Sequence, residues 1–426
     1  VTQKVAGTGL ASVFVLLAIC LLLLERAPPI LAAVAVLAVA PAVQWRNLGD
    51  MLKVSPAVWA VSALVVWMLL SCVWSIAGLE GVSGALRIAV MIVIAVLLPA
   101  MVLSLPPAAR YRAARWAGIA ICLAIALLLV ETLLDMPLLR TARYMVYGEV
   151  FVAVMPAEDA RVVGEVYYPV YYLANRLNHI ATMVAILTVP AVAYVYGSGR
   201  PFAAAAIAAM AALGLFLAPS HAPLLAGGLA ALAAGAMLVP AIGGSRVLAR
   251  GIPVLVALGV VATPWLLQAA YAGGVGKMGG LDHSAIHRLV IWDHVAGLVA
   301  ERPIIGYGIE ASRVIGRGGV TVSAAAGADG AVLPALPLHP HNASLQIWLE
   351  LGAIGAVCFA AFLYCMTRMA WTYTPDPVGR AGLVGSWVAV LTIAHLSNGV
   401  WQYWWIACLG FTATMVALML APRSRT

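Results

Sequence analysis

Charge is scarce in this chain. Only 9% of its 426 residues are charged, 64% are hydrophobic, and the mean hydropathy is +1.03. That balance excludes a soluble globular domain, which needs far more polar surface. Two-residue alternation of polarity is also missing from the apolar runs, which excludes a transmembrane β-barrel. The six cysteines (Cys20, Cys72, Cys122, Cys358, Cys365 and Cys408) all fall inside apolar runs. They read as small core residues, and no disulfide framework is expected. No glycine fingerprint follows a strand, there is no P-loop, and no cytoplasmic domain is large enough for a nucleotide-sugar site.

What is present is a series of apolar runs long enough to span a bilayer, because backbone groups in lipid must be satisfied within helices. The predicted fold is therefore all-α, a polytopic membrane protein of about twelve spans. They cover roughly 7–24, 28–45, 55–76, 83–104, 116–134, 177–197, 201–218, 222–242, 251–271, 343–367, 380–399 and 403–421. Residues 9–24 resemble a signal-peptide core, but no small-x-small site follows, so they are read as the first span. Pro28, Pro201, Pro223 and Pro253 stand at or near predicted span starts, where a missing N–H costs least. The chain divides into spans one to nine (1–271, with an outer loop at 135–176), a large outer loop (272–342) and spans ten to twelve (343–426).

Orientation follows from the basic residues. With both termini in the cytoplasm, thirteen Lys and Arg lie inside: Lys4, Arg46, Lys53, Arg110, Arg112, Arg115, Arg200, Arg246, Arg250, Arg368, Arg380, Arg423 and Arg425. Among short outer loops only Arg26 opposes them, a strong positive-inside bias. The net charge of +8 is thus topology and implies no nucleic-acid partner. The loop at 135–176 is rich in tyrosine (Tyr144, Tyr147, Tyr167, Tyr168, Tyr171, Tyr172), as suits a segment among headgroups. Trp401, Tyr403, Trp404 and Trp405 are expected in the outer aromatic belt.

All eight histidines (His179, His221, His283, His287, His294, His339, His341, His395) fall in the outer half. His339-Pro340-His341-Asn342 immediately precedes the tenth span. A helix N-terminus carries partial positive charge, which favours the neutral imidazole that a general base requires. The same N-terminus attracts phosphate. Asn342 or Ser344 can cap it, and a capping turn alone would use the same residues. In the large outer loop, residues 284–301 read as a helix, with Asp282 or Ser284 as cap and Pro303 as stop. Arg288 and Trp292 lie one turn apart on it, and a guanidinium there suits a bidentate grip on phosphate. His283 and His287 have i,i+4 spacing but no evident third ligand, so no metal is expected. Arg176 sits at an outer helix end, fit for a phosphate or for lipid headgroups. Arg87 lies well within a span, either functional or snorkelling. Glu350 falls on the opposite face from His341 and reads as a structural partner for a polar group.

With these residues in view, the sequence resembles the O-antigen ligases (WaaL) of the wider O-antigen ligase/polymerase group. The resemblance rests on Arg288-x3-Trp292, on Arg302-Pro303-Ile304-Ile305-Gly306-Tyr307-Gly308, on His341-Asn342 with Glu350 and Gly352, and on the span layout. It implies an inverting GT-C glycosyltransferase of the bacterial inner membrane, with its active site on the periplasmic face and no metal or cofactor. The implied donor is a glycan on undecaprenyl pyrophosphate, and the implied acceptor is lipid A–core, as in lipopolysaccharide assembly. His341 would be the base, with His339 its neighbour or rival, and Arg288 and Arg176 would hold the pyrophosphate. Relatives carry Ser-Arg where this chain has Ser220-His221, which places His221 in a phosphate position. A polymerase or a protein O-oligosaccharyltransferase uses the same chemistry. A transporter would instead place polar residues at mid-membrane, often in repeated halves.

Overall fold

The computed structural model describes residues 2–24, 26–147, 160–163, 166–275, 283–323 and 332–420. Asp282, the cap proposed for the loop helix, lies outside them, as do the side chains of His283 and the six tyrosines of the first long loop. The helices are α1 (Thr2–Leu23), α2 (Ala27–Val39), α3 (Trp45–Lys53), α4 (Pro56–Leu70), α5 (Gly78–Leu103), α6 (Pro107–Leu133) and α7 (Pro137–Tyr147). They continue with α8 (Val170–Tyr196), α9 (Pro201–Leu217), α10 (His221–Leu238), α11 (Arg246–Ala272), α12 (His283–Glu301), α13 (Ala311–Arg317), α14 (Ala343–Thr372), α15 (Pro377–Leu396) and α16 (Tyr403–Leu420). A one-turn helix, Pro240–Gly243, precedes α11. Two short antiparallel hairpins, Ala160–Val163 with Val166–Pro169 and Thr321–Ser323 with Val332–Pro334, sit in the two long loops.

This is an all-α, multi-pass membrane protein, and each of the twelve apolar runs falls on a helix. Among the described residues, nine helices are long and apolar enough to cross a membrane. The other three runs are shorter: Gly7–Leu23, Pro201–Leu217, and a pair, Ala27–Ala42 with Trp45–Lys53, bent by 120°. Helix α8 begins at Val170, earlier than predicted, and α7 and a hairpin occupy part of the 135–176 loop. Proline opens many helices, at Pro28, Pro56, Pro107, Pro201 and Pro377 among others. Pro253 does not: α11 starts at Arg246, which leaves Pro253 inside it.

The helices build two main cores. One gathers α1, α2, α6, α8, α9 and α16 around Phe14 and Phe411, whose rings meet edge to face at 6.5 Å. The other gathers α4, the first half of α5, α12 and α14. Two expectations fail here. Trp401, Trp404 and Trp405 are buried, so they are core residues and not a lipid-facing belt. Of the cysteines only Cys408 is fully buried, and Cys122 is exposed on the apolar outside of α6, where lipid accepts a thiol as readily as a core does.

The basic ends converge away from the histidines. Arg380 donates to the Gly243 carbonyl, which Trp371 Nε1 also reaches at 3.3 Å. At the far end of α14, the chain runs from His339 to the helix cap Asn342, whose side chain accepts from Leu345 N–H at 3.0 Å.

Candidate functional site

Helix α14 is two helices joined at Gly352, which adopts φ +63° and ψ −163°. The break frees backbone groups on both sides, and buried backbone groups need partners. The long-loop segment Arg302–Gly308 supplies them. Tyr307 N–H donates to Leu349 O at 2.9 Å, and Gly308 N–H to Glu350 O at 2.8 Å. In return Ala353 N–H donates to Pro303 O at 2.8 Å. Trp67 Nε1 takes the Leu351 carbonyl at 2.9 Å. The approach is too close for side chains: a Cβ on Gly352 would lie 2.3 Å from Ile304 O, and one on Gly308 2.3 Å from Ser75 Cα. This threading gives the two glycine-bearing motifs one physical explanation.

The upper half of the broken helix carries the histidines. His341 has φ +54°, a left-handed conformation uncommon outside glycine. The turn is held by Trp292 Nε1, which donates to Pro340 O at 2.8 Å. His341 Nδ1 lies 2.6 Å from Ser397 O. A carbonyl only accepts, so Nδ1 carries the hydrogen and Nε2 is the basic nitrogen of the neutral ring. Nε2 has no hydrogen-bond partner among the described residues. His339 is engaged at both nitrogens: Nδ1 accepts from His341 N–H at 3.2 Å, and Nε2 lies 3.2 Å from the Gln402 amide. With Nδ1 accepting, Nε2 carries the hydrogen. Turning that amide brings in Gln402 Oε1, otherwise buried without a partner, as acceptor. The two rings stand 4.3 Å apart.

Burial lowers both imidazoles' pKa values. His339 falls to about 3, from burial first and then from the nearby His341 and Arg313. His341 is lowered by burial, and further by Arg288 and His287, against an opposing contribution from its bond to Ser397 O. Both rings are therefore neutral near pH 7. Helix α12 brings Arg288 and His287 to the site. Arg288 Nη1 donates to Ser284 Oγ at 2.8 Å, and His287 Nε2 lies 3.0 Å from Pro334 O. Ser284 lies inside the helix and is not its cap.

Comparison with known proteins finds likeness over this part of the chain. Residues 205–360 match the family model described as O-antigen ligase. The chain is 34% identical over 139 residues to a protein of Rickettsia conorii named "Putative polysaccharide ligase", covering 33% of each chain. A protein of the same name from Rickettsia bellii is 34% identical over 174 residues, 39% of this chain and 41% of that one. Residues 205–360 are thus similar to the O-antigen ligase family.

The chain spans about a third to two fifths of the length of the curated relatives it matches. The family segment contains α12, the Arg302–Gly308 thread, both histidines of the turn and the break at Gly352.

The site collects Arg288, Trp292, His339, His341 and Asn342. Glu350 lies directly beneath, fully buried, and accepts four hydrogen bonds. Arg176 lies in the second turn of α8, near Asn178, whose amide is 3.5 Å from Ser397 Oγ. His221 is exposed at the first residue of α10, and Arg87 is exposed on α5; among the described residues neither makes a hydrogen bond or ion pair.

What the sequence reading missed is the segment from Ser397 to Gln402, which forms one wall. Gly399 sits so close that a Cβ would lie 2.8 Å from the His339 ring. Its only signal in sequence was a polar Ser-Asn-Gly interruption between two apolar runs. Among the described residues no group of three or more His, Cys, Asp or Glu could hold a metal ion.

Proposed function

We propose that this protein is an O-antigen ligase, moving a polysaccharide from undecaprenyl pyrophosphate to a sugar hydroxyl of lipid A–core at the periplasmic face of the bacterial inner membrane. The observation that carries the reading is His341, whose Nδ1–H bond to Ser397 O leaves Nε2 as an unpartnered base. In this mechanism Nε2 takes the acceptor hydroxyl proton as its oxygen attacks the anomeric carbon. The bond from that carbon to the phosphate oxygen breaks, and undecaprenyl pyrophosphate leaves with the bonding electrons. A single displacement inverts the anomeric centre. The leaving group is already activated, so the chemistry needs no nucleotide.

Arg288 stabilises the negative charge that grows on the pyrophosphate, which is strongest where water is excluded. Arg176 serves as a second phosphate contact from the second turn of α8. Trp292 and Asn342 fix the turn, and the membrane delivers both lipid substrates to one cavity, lowering the entropic cost of their encounter. The exposed His221 has a weaker claim, and Arg87 drops out of the proposed site.

The test is reconstitution of purified protein with a glycan on undecaprenyl pyrophosphate, with or without lipid A–core, in EDTA. Glycan appearing on lipid A–core supports a metal-independent ligase. Lengthened glycan on the lipid carrier from donor alone indicates a polymerase, and glycan on a pilin-type protein acceptor an oligosaccharyltransferase. No product with any acceptor, from folded protein, overturns the proposal.

A further inference from the structure

Beneath the base lies a polar hub that the mechanism above does not use. Glu350 is fully buried, and donors from three segments converge on it. Oε1 accepts from Ser312 Oγ and from Gln346 Nε2 at 3.1 Å. Oε2 accepts from Glu310 N–H at 2.8 Å and Trp401 Nε1 at 2.9 Å. Each oxygen thus receives two donors, filling its lone-pair capacity.

The hub reaches the base through Gln346. With its amide nitrogen on Glu350, the Gln346 oxygen is aimed at Val400 N–H, 2.9 Å away. Trp401, next in the chain, is tied to Glu350 directly. Two bonds therefore pin the segment that begins at Ser397, whose carbonyl faces His341 Nδ1. Glu310 has φ +64° and packs its side chain against Gly84 of α5, where a Cβ would lie 2.9 Å from its Cγ. Left-handed geometry at Glu310 and at His341 is held from opposite ends of the same network, and such strain persists only when its surroundings over-determine it.

We propose that Glu350 is a positioning residue: through Gln346 and Trp401 it holds the Ser397 carbonyl against His341 Nδ1, and so selects Nε2 as the basic nitrogen. The inference rests on His341 being the base. Glu350 touches no substrate and no reacting atom. An amide at this position replaces one oxygen by a donor that faces two of the four donors: Glu310 N–H and Trp401 Nε1 on one side, or Ser312 Oγ and Gln346 Nε2 on the other, where the Ser312 hydroxyl can turn freely. On the latter side Gln346 can relieve the clash only by turning its amide, which removes its bond to Val400.

The experiment compares wild type, Glu350→Gln and Gln346→Leu by reconstituted transfer across pH 5–8 and by ¹⁵N spectra of histidine-labelled protein. His341 is assigned by the signal lost in His341→Ala. Its neighbours with charge or a titratable ring are His339, His287 and Arg288, and none of them is altered; His395, bonded to Ser344 Oγ at 2.8 Å, is also untouched. Wild type shows His341 as the Nδ1–H tautomer. In Glu350→Gln the tautomer signal becomes mixed, kcat falls at least tenfold and KM for the donor stays within twofold. The acidic limb of the kcat profile moves to lower pH, because the bond that favours the charged ring is lost.

A folded Glu350→Gln with the wild-type tautomer and limb overturns the proposal, even if kcat falls, since that result describes a merely structural residue. If Glu350→Gln does not fold, Gln346→Leu decides by the same two readouts. The tautomer signal needs no turnover. An inactive wild type or an active His341→Ala therefore defeats the functional reading alone and leaves this comparison standing.

Discussion

The core around Phe14 and Phe411 and the core around α14 treat their buried polar groups differently. In the first, several buried polar groups bond locally: Ser104 donates to Met101 O, Thr414 donates to Gly410 O, and Glu131 accepts from the Leu138 and Leu139 N–H groups. In the second, Glu350, Gln346, Trp401 and Trp67 bond across segments separated by tens to hundreds of residues. A helix in lipid has no need of the second arrangement, because its backbone is satisfied internally. The break at Gly352 creates that need, and the long loop meets it. The scaffold core is held by packing and local bonds, whereas the core around α14 is held by directional long-range bonds that fix where His341 points.

Four substitutions or conditions would break or sharpen this contrast. The largest effect is expected for Arg288→Ala, which should lower kcat by about 10²–10³-fold, as loss of a transition-state donor does. Its melting temperature should match wild type; a matching drop in folded protein would make Arg288 a scaffold residue. Gly352→Ala follows, at a cost on the order of 3 kcal/mol from forced positive φ and backbone overlap. It should lower the melting temperature in detergent and uncouple the long loop, which protease sensitivity within 302–310 would report. An unchanged protease pattern would contradict the threading.

Phe14→Ala should cost less, about 1–3 kcal/mol. Lipid offers no water-transfer term between helices, so only the lost packing counts. Activity per folded molecule should be unchanged, and a fall in it would show that the two cores are coupled.

The last effect concerns pH and amounts to at most about 2 kcal/mol between pH 6.5 and 5. His339 has a folded pKa of about 3, below the ordinary 6.5. The unfolded chain therefore binds the extra proton, and stability falls as pH drops below 6.5 toward 3, by up to about 1.4 kcal/mol per unit. His339→Gln should flatten the melting temperature between pH 6.5 and 5; an identical slope in both proteins would assign the effect elsewhere.

How much of this could be read from sequence follows the same division. The scaffold was legible because apolar runs report lipid-spanning helices directly. The helix α12, the Asn342 cap and the cluster of Arg288, Trp292 and His341 were legible because each is a local pattern at a helix start or on one face. The Ser397–Gln402 wall was not, because its role comes from contacts with His341 and Gln346, some 55 residues back in the chain. Trp401 was misplaced for that reason: a tryptophan near an outer helix end reads as a belt residue until its N–H finds a buried carboxylate. The choice between His339 and His341 also needed geometry, since only the partners of each nitrogen show which one is available.

The most direct test of the account is transfer by wild type, His341→Ala and His339→Ala, measured side by side in the reconstituted system at pH 7. The account predicts that His341→Ala, folded as wild type, loses about 10²–10⁴-fold in kcat, the contribution of a positioned base. His339→Ala should keep most of its activity. Equal losses in the two variants, or a larger loss in His339→Ala, would contradict the assignment of His341 Nε2 as the base.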